Sequence, residues 1–236
     1  MTQVQTRQGE AHDVRSTIVE AAARLLHEGG LPAVTTRGVA AEAGVQAPTI
    51  YRIFGDKDGL LDAVAEHELK QYVGGKSAVP ESDDPVTDLR AAWDRHIGFG
   101  LDRPAIFVRL VDPDRTSPVA AAGLEVLRAR VHRIAVAGRL AVTEQRAVDL
   151  VHAAGTGAIL TLLARPPELR DVSLADDMYD ALMRTVLADE GVRGEHDPLR
   201  TAAITLRAVT PELSELSRSE QSLLSEWLDR VASPGG

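Results

Sequence analysis

The chain has 236 residues, 44% of them hydrophobic, a formal net charge of −9 and no cysteine. That length and apolar content suffice for a small head plus a larger domain with its own core, while the missing thiols exclude a disulfide framework and a thiolate zinc site. The first residues, MTQVQTRQGEAHD, lack the apolar stretch of a signal peptide, and no run of 18 apolar residues occurs, so a soluble, cytoplasmic chain with no membrane partner is expected.

Residues 1–11 read as a disordered arm. A helix is predicted over about Asp13 to Glu28, where Val14, Ile18, Ala21, Ala22 and Leu25 recur at helical spacing before Gly29-Gly30. Thr35 then caps a two-turn helix to Ala43, with Val39, Ala40 and Ala43 on its inner face and Gly44 ending it. Gly38 inside that helix costs about 1 kcal/mol relative to alanine. Gln46 to Phe54 forms a third helix, with Pro48 in the first turn, where a missing N–H costs little. Two helices joined by a tight glycine turn make a helix-turn-helix. Ile50 and Phe54 lie one turn apart and face inward, which leaves Thr49, Tyr51 and Arg52 on the arc that a major groove accepts.

The pattern T-x-x-x-V-A-x-x-A-G-V-x-x-x-T-I-Y-x-x-F-x-x-K-x-x-L, Thr35 to Leu60, resembles the head of tetracycline-repressor-type (TetR family) regulators. The resemblance runs from about Val14 to Leu69; the remaining two thirds of the chain is similar only in being helical. It implies that Thr49 and Tyr51 contact the sugar–phosphate backbone and that Lys57 holds a phosphate. Gln46, Ala47 and Arg52, with Thr36 and Arg37 from the preceding helix, are the candidates for base-edge or mixed contacts, and Thr35 and Pro48 complete the expected DNA-facing set. Ile53 stands where the family often has a histidine or tyrosine on phosphate. Residues 1–57 hold six Arg/Lys and six Asp/Glu, so all the excess negative charge lies beyond them. A neutral head on an acidic body suits binding at a specific site over general adhesion to DNA.

Leu61, Ala65, Leu69 and Val73 carry a fourth helix out of the head towards a loop at Gly74-Gly75 and Pro80 to Asp84. Asp83 or Asp84 with Pro85 opens a helix containing Leu89, Trp93 and Ile97. Pro104, Pro113 and Pro118 fragment the chain around AIFVRLV. A helix with Leu124, Leu127, Val131 and Ile134 follows. Thr143 caps a run to about Ala164, and another helix spans about Leu174 to Ala188. Asp197-Pro198 and a capping box at Ser217 and Glu220 start two more, the last carrying Leu224, Trp227, Leu228 and Val231. The expected architecture is all-α: an arm (1–11), a three-helix helix-turn-helix head (12–58), a larger helical ligand-binding and dimerisation domain (59–232) and a flexible tail (233–236).

Within the body, Trp93, His96, Phe99 and Phe107 beside Gly98 and Gly100 are candidates for a ligand pocket, with an ordinary aromatic core as the alternative. AAGTGA, from Ala153 to Ala158, has almost no side-chain bulk, so a second helix can approach closely. Val151, Ala154, Gly155 and Ala158, with Met178 and Leu182 of the next helix, are the candidate homodimer seam; an intramolecular contact is the alternative. One short recognition helix reads few base pairs, and two-fold pairing places two heads on a palindromic operator. The expected partners are double-stranded DNA, a second copy and an unidentified small-molecule effector, with no cofactor and no metal.

Catalysis is not expected. No histidine pair has metal-ligand spacing, Glu66-His67-Glu68 falls on an exposed helix in this reading, and Asp176, Asp177 and Asp180 read as a solvated helical turn favoured by the helix dipole. A helical interaction protein with an unused head is the other rival. The presence of Thr49, Tyr51 and Lys57 together argues against it.

Overall fold

A computed structural model describes residues 2–74, 82–115, 117–188 and 197–233, with side chains described from Val14 and not for 72–74. Apart from one isolated bridge between Leu140 and Leu187, the regular elements among them are helical, as expected. The predicted loop residues 75–81 and tail residues 234–236 lie outside the described part.

The chain divides into two compact units, Met1–Ala78 with Arg103–Ala120, and Val79–Asp102 with Ala121–Gly236. The head therefore does not stop near residue 58. Its elements are α1 (Thr2–Ala33), α2 (Thr36–Glu42), α3 (Ala47–Phe54), α4 (Lys57–Gly74) and, from the second chain segment, α5 (Pro104–Leu110). The separate arm expected over 1–11 is instead part of α1, because TQVQTRQGEAHD contains no proline to stop a helix and only one glycine. At its other end α1 breaks where predicted: Gly30 has a φ of 67°, in the left-handed region that glycine adopts without strain.

The head core consists of Ile18, Ala21 and Ala22 of α1, Val39 and Ala40 of α2, Ile50 of α3 and Leu60, Leu61 and Val64 of α4, all buried. The α4 residues in this list explain the shifted boundary, since burying them against α1 makes α4 part of the head core. The short α5 joins through charge. Arg109 donates from Nε to Asp62 at 2.6 Å and from its terminal nitrogen to the Asp58 carbonyl at 2.5 Å. Arg115 reaches Asp62 at 3.3 Å. Glu68, expected on an exposed surface, is 6% exposed. Its carboxylate lies 2.5 Å from Arg103 Nε and 3.2 Å from His27 Nε2, so three elements of the head close over it. Spacing alone puts Glu68 on a charged run; only the arrival of Arg103 from a distant segment makes burial tolerable.

The second unit contains α6 (Pro85–Asp102), α7 (Pro118–Val136, its first turn in the other unit), α8 (Glu144–Leu163), α9 (Ser173–Val186), α10 (Pro198–Val209) and α11 (Arg218–Ala232). Helices α6 and α8 meet at glycines. A Cβ on Gly100 would lie 2.5 Å from Ile159 Cγ2, and one on Gly155 would lie 3.0 Å from His96 Cδ2 and 3.4 Å from Trp93 Cζ3. Helix α9 packs on α8 and reaches α6 through an aromatic contact, with the Trp93 and Tyr179 ring centroids 5.4 Å apart. Arg90 lies over the Tyr179 ring at 4.9 Å and pairs with Asp94 and Asp176. Asp176 is thus tied to α6 and is not merely solvated, although it stays exposed. Asp88, 8% exposed, is held by Arg133 and by the Ser82 N–H at 3.0 Å, and these bonds keep its carboxyl below the usual range.

Candidate nucleic-acid interface

Local chemistry fixes the shape of α2, α3 and the start of α4. Thr35 Oγ1 accepts from the Gly38 N–H at 3.0 Å, closing the first turn of α2. A Cβ on Gly38 would sit 2.9 Å from that same oxygen, so the glycine that weakens the helix makes room for its cap. Gly44, with a φ of 67°, turns the chain, and the Val45 N–H returns to the Ala40 carbonyl at 2.9 Å. Gly55, with a φ of 81°, ends α3. Asp56 Oδ1 then accepts from the Gly59 N–H at 2.8 Å, so the acid beside Lys57 caps α4. A Cβ on Gly59 would lie 2.1 Å from the Phe54 carbonyl oxygen, which makes glycine obligatory at this turn.

These constraints give α3 two distinct faces. Ile50 is fully buried, and Phe54 is half-buried beneath Arg15, whose guanidinium lies 5.3 Å from the ring centroid. On the other side Gln46, Pro48, Tyr51 and Arg52 are exposed, with Ala47 and Thr49 half-buried at the edge. Tyr51 is 53% exposed, too much for a core aromatic. Thr35 and Arg37 are exposed, Thr36 is half-buried, and Lys57 is exposed in the first turn of α4. None of the residues expected to face DNA is buried.

The body candidates are placed differently. Trp93, His96 and Phe99 lie in the second unit, whereas Phe107 is buried in the first, on α5; the four do not share one unit. Proline spacing gave no sign of that division. His96 is held neutral by burial, helped by the charge of His152, and its pKa falls to about 4. In the proposed seam, Val151, Gly155, Ala158 and Leu182 are buried within their own unit, and only Met178 is exposed, with Ala154 half-buried. Of the small residues of α8, Gly155 admits α6, whereas a Cβ on Gly157 would meet nothing within 4 Å. The face that α8 and α9 leave open carries Ala153, Gly157, Leu160, Met178 and Ala181.

Residues 18–64 match the family described as bacterial regulatory proteins, tetR family. The transcriptional regulator BetI of Burkholderia cenocepacia is 35% identical over 79 residues, which are 33% of this chain and 41% of BetI. The match therefore spans about two fifths of that relative's length. Among solved structures, SmeT, the repressor of the Stenotrophomonas maltophilia multidrug efflux pump SmeDEF, is similar with a TM-score of 0.54 at 22% identity, over 78% of this chain and 97% of SmeT. A TetR variant from Acinetobacter baumannii in complex with minocycline is similar with a TM-score of 0.55 at 23% identity, over 72% and 93% of the two chains. At these identities the structural likeness concerns the fold. The helix-turn-helix segment, residues 18–64, is thus matched in sequence to the tetR family of bacterial regulatory proteins, and the helical body is matched to solved structures in fold alone.

Proposed function

We propose that the protein is a sequence-specific DNA-binding transcriptional regulator acting in the cytoplasm, a homodimeric repressor released from a palindromic operator by a small molecule. The observation that carries this reading is the exposed arc of α3, Gln46 to Arg52 around buried Ile50, with Lys57 beside it at the start of α4. Thr49, Tyr51 and Lys57 hold phosphates and set the register; Arg37, Gln46 and Arg52 reach base edges, where Arg and Gln have the geometry for guanine and adenine. A second copy docks on the open face of α8 and α9 around Gly157 and Met178, placing two heads about 34 Å apart along the duplex.

The effector occupies the second unit near Trp93, His96 and Phe99. Trp93 Nε1 is buried with no hydrogen-bond partner among the described residues, and His96 is uncharged, which favours a neutral molecule bearing an acceptor oxygen. The effector acts only through its preference for a state in which the heads are out of register. Within the head, Arg109 of α5 grips Asp58, the residue after Lys57, so a shift of α5 would move the start of α4.

Selection of binding sites from random duplexes, followed by affinity measurement at several salt concentrations, tests the reading. A palindrome is expected to emerge. Thr49→Ala/Tyr51→Ala is expected to weaken binding at least tenfold, and Lys57→Ala to reduce the salt slope by about 1. No enriched site, together with variants that bind like the wild type, would refute the proposal.

A further inference from the structure

The acids around α3 are already engaged. Glu42 pairs with Arg24 at 3.1 Å, Asp56 accepts from the Gly59 N–H at 2.8 Å, and Asp58 meets Arg109 at 3.3 Å. Among the described residues, no carboxylate comes within ion-pair distance of Arg15, Arg37, Arg52 or Lys57. The last three belong to the exposed surface of α2, α3 and α4, whereas Arg15 arrives from α1.

Arg15 lies one turn ahead of Ile18 and Val19, both buried, so its stem leaves the edge of the head core while the residue itself is exposed. Its guanidinium rests 5.3 Å from the centroid of the Phe54 ring. Phe54 follows Tyr51 by one turn of α3, which puts their Cβ atoms about 5–6 Å apart, and it precedes Lys57 across the Gly55 turn. The cation from α1 therefore stands on the flank of Tyr51 and Lys57. A ring face attracts a guanidinium but accepts none of its in-plane N–H bonds, so the donor fork that matches a carboxylate or a phosphate stays unspent.

We infer that Arg15 holds a phosphate of the operator backbone, adding a contact from α1 to those of the helix-turn-helix. The inference rests on the regulator reading. The N-terminal residues of a recognition helix reach base edges, and Phe54 is the last residue of α3, so Arg15 meets backbone and carries no sequence information. Phe54 fixes where the charge stands, which sets the register of the head on the duplex.

The full-length protein on its selected site provides the test. Arg15→Gln should bind at least about fivefold more weakly, by the same factor on the selected duplex and on a mismatched one, with a salt slope reduced by about 1. Arg15→Lys keeps the charge and should keep the slope. Replacing the phosphates one at a time by uncharged methylphosphonate should reveal a position where the wild type loses affinity and Arg15→Gln does not. A residue that merely braces Phe54 gives other results: a weakened Arg15→Gln with an unchanged slope, a methylphosphonate profile like that of the wild type, or an Arg15→Lys that falls as far as Arg15→Gln. Any of these overturns the inference. Failure of the wild type to select a site sinks the regulator reading and this contact together; a selected site that Arg15→Gln binds like the wild type sinks this contact alone.

Discussion

At the scale of single residues, the head depends on positions that carry no functional group. Gly59 is the sharpest case. Any Cβ there meets the Phe54 carbonyl oxygen at 2.1 Å, and backbone cannot swing aside as a side chain can. Gly59→Ala is expected to destabilise the protein by about 2–4 kcal/mol and to lower DNA affinity by shifting Lys57 relative to α3; denaturant unfolding and DNA titration check both. The exposed side of α3 was legible because the helix is short and a single buried residue, Ile50, fixes which side is out. Glu68 was not. Val64 and Ala65, one turn before it, are buried apolar residues, but a carboxylate on that face reads as out of place because the cation that makes its burial tolerable lies 35 positions further along, at Arg103.

At the scale of elements, α4 is held from both sides, by apolar packing against α1 and by ion pairs with α5. Arg109 is the main strut: its side chain is 13% exposed and it serves Asp62, the Asp58 carboxylate and the Asp58 carbonyl. Arg109→Ala is expected to cost about 1–3 kcal/mol of stability, because it removes bonds and leaves two carboxylates facing Arg115 alone. Urea unfolding measures this, and a loss under about 0.5 kcal/mol would show that the pairs are merely superficial. Helices α1 and α4 were readable from their apolar spacing and bounding glycines, whereas no helix was assigned to AIFVRLV between its prolines. The partner of each helix was not readable, because AIFVRLV looks the same whether it joins the head or the body. The small-residue run in α8 shows the same limit: its composition announces a close approach, and Ile159 and His96 reveal that the approaching helix is α6.

At the scale of the whole molecule, stability depends on pH through His96. Its pKa is about 4 in the folded state against an ordinary value of 6.5, so the unfolded chain binds the proton more readily. Stability is complete above about 6.5 and falls as the pH drops from there towards 4, by at most about 1.4 kcal/mol per pH unit. Asp88, with a lowered pKa, stays ionised across that window and loses its contribution only at lower pH. Thermal unfolding at pH 7.5 and 5.0 should show this decline for the wild type and a shallower one for His96→Gln; parallel curves would show that His96 is not responsible.

The head is also discontinuous along the chain, and this bears on how it comes to exist. During synthesis the ribosome releases residues 1–78 before 103–120, so for the interval in which the intervening segment is made α4 carries Asp58, Asp62 and Glu68 without Arg103, Arg109 and Arg115. An excised fragment ending near residue 78 would remain in that unfinished condition, with acid unneutralised beside Lys57, the residue proposed to meet a phosphate. Grafting this head onto another protein therefore calls for two pieces of chain, and a nascent polypeptide completes the unit only after the second has emerged.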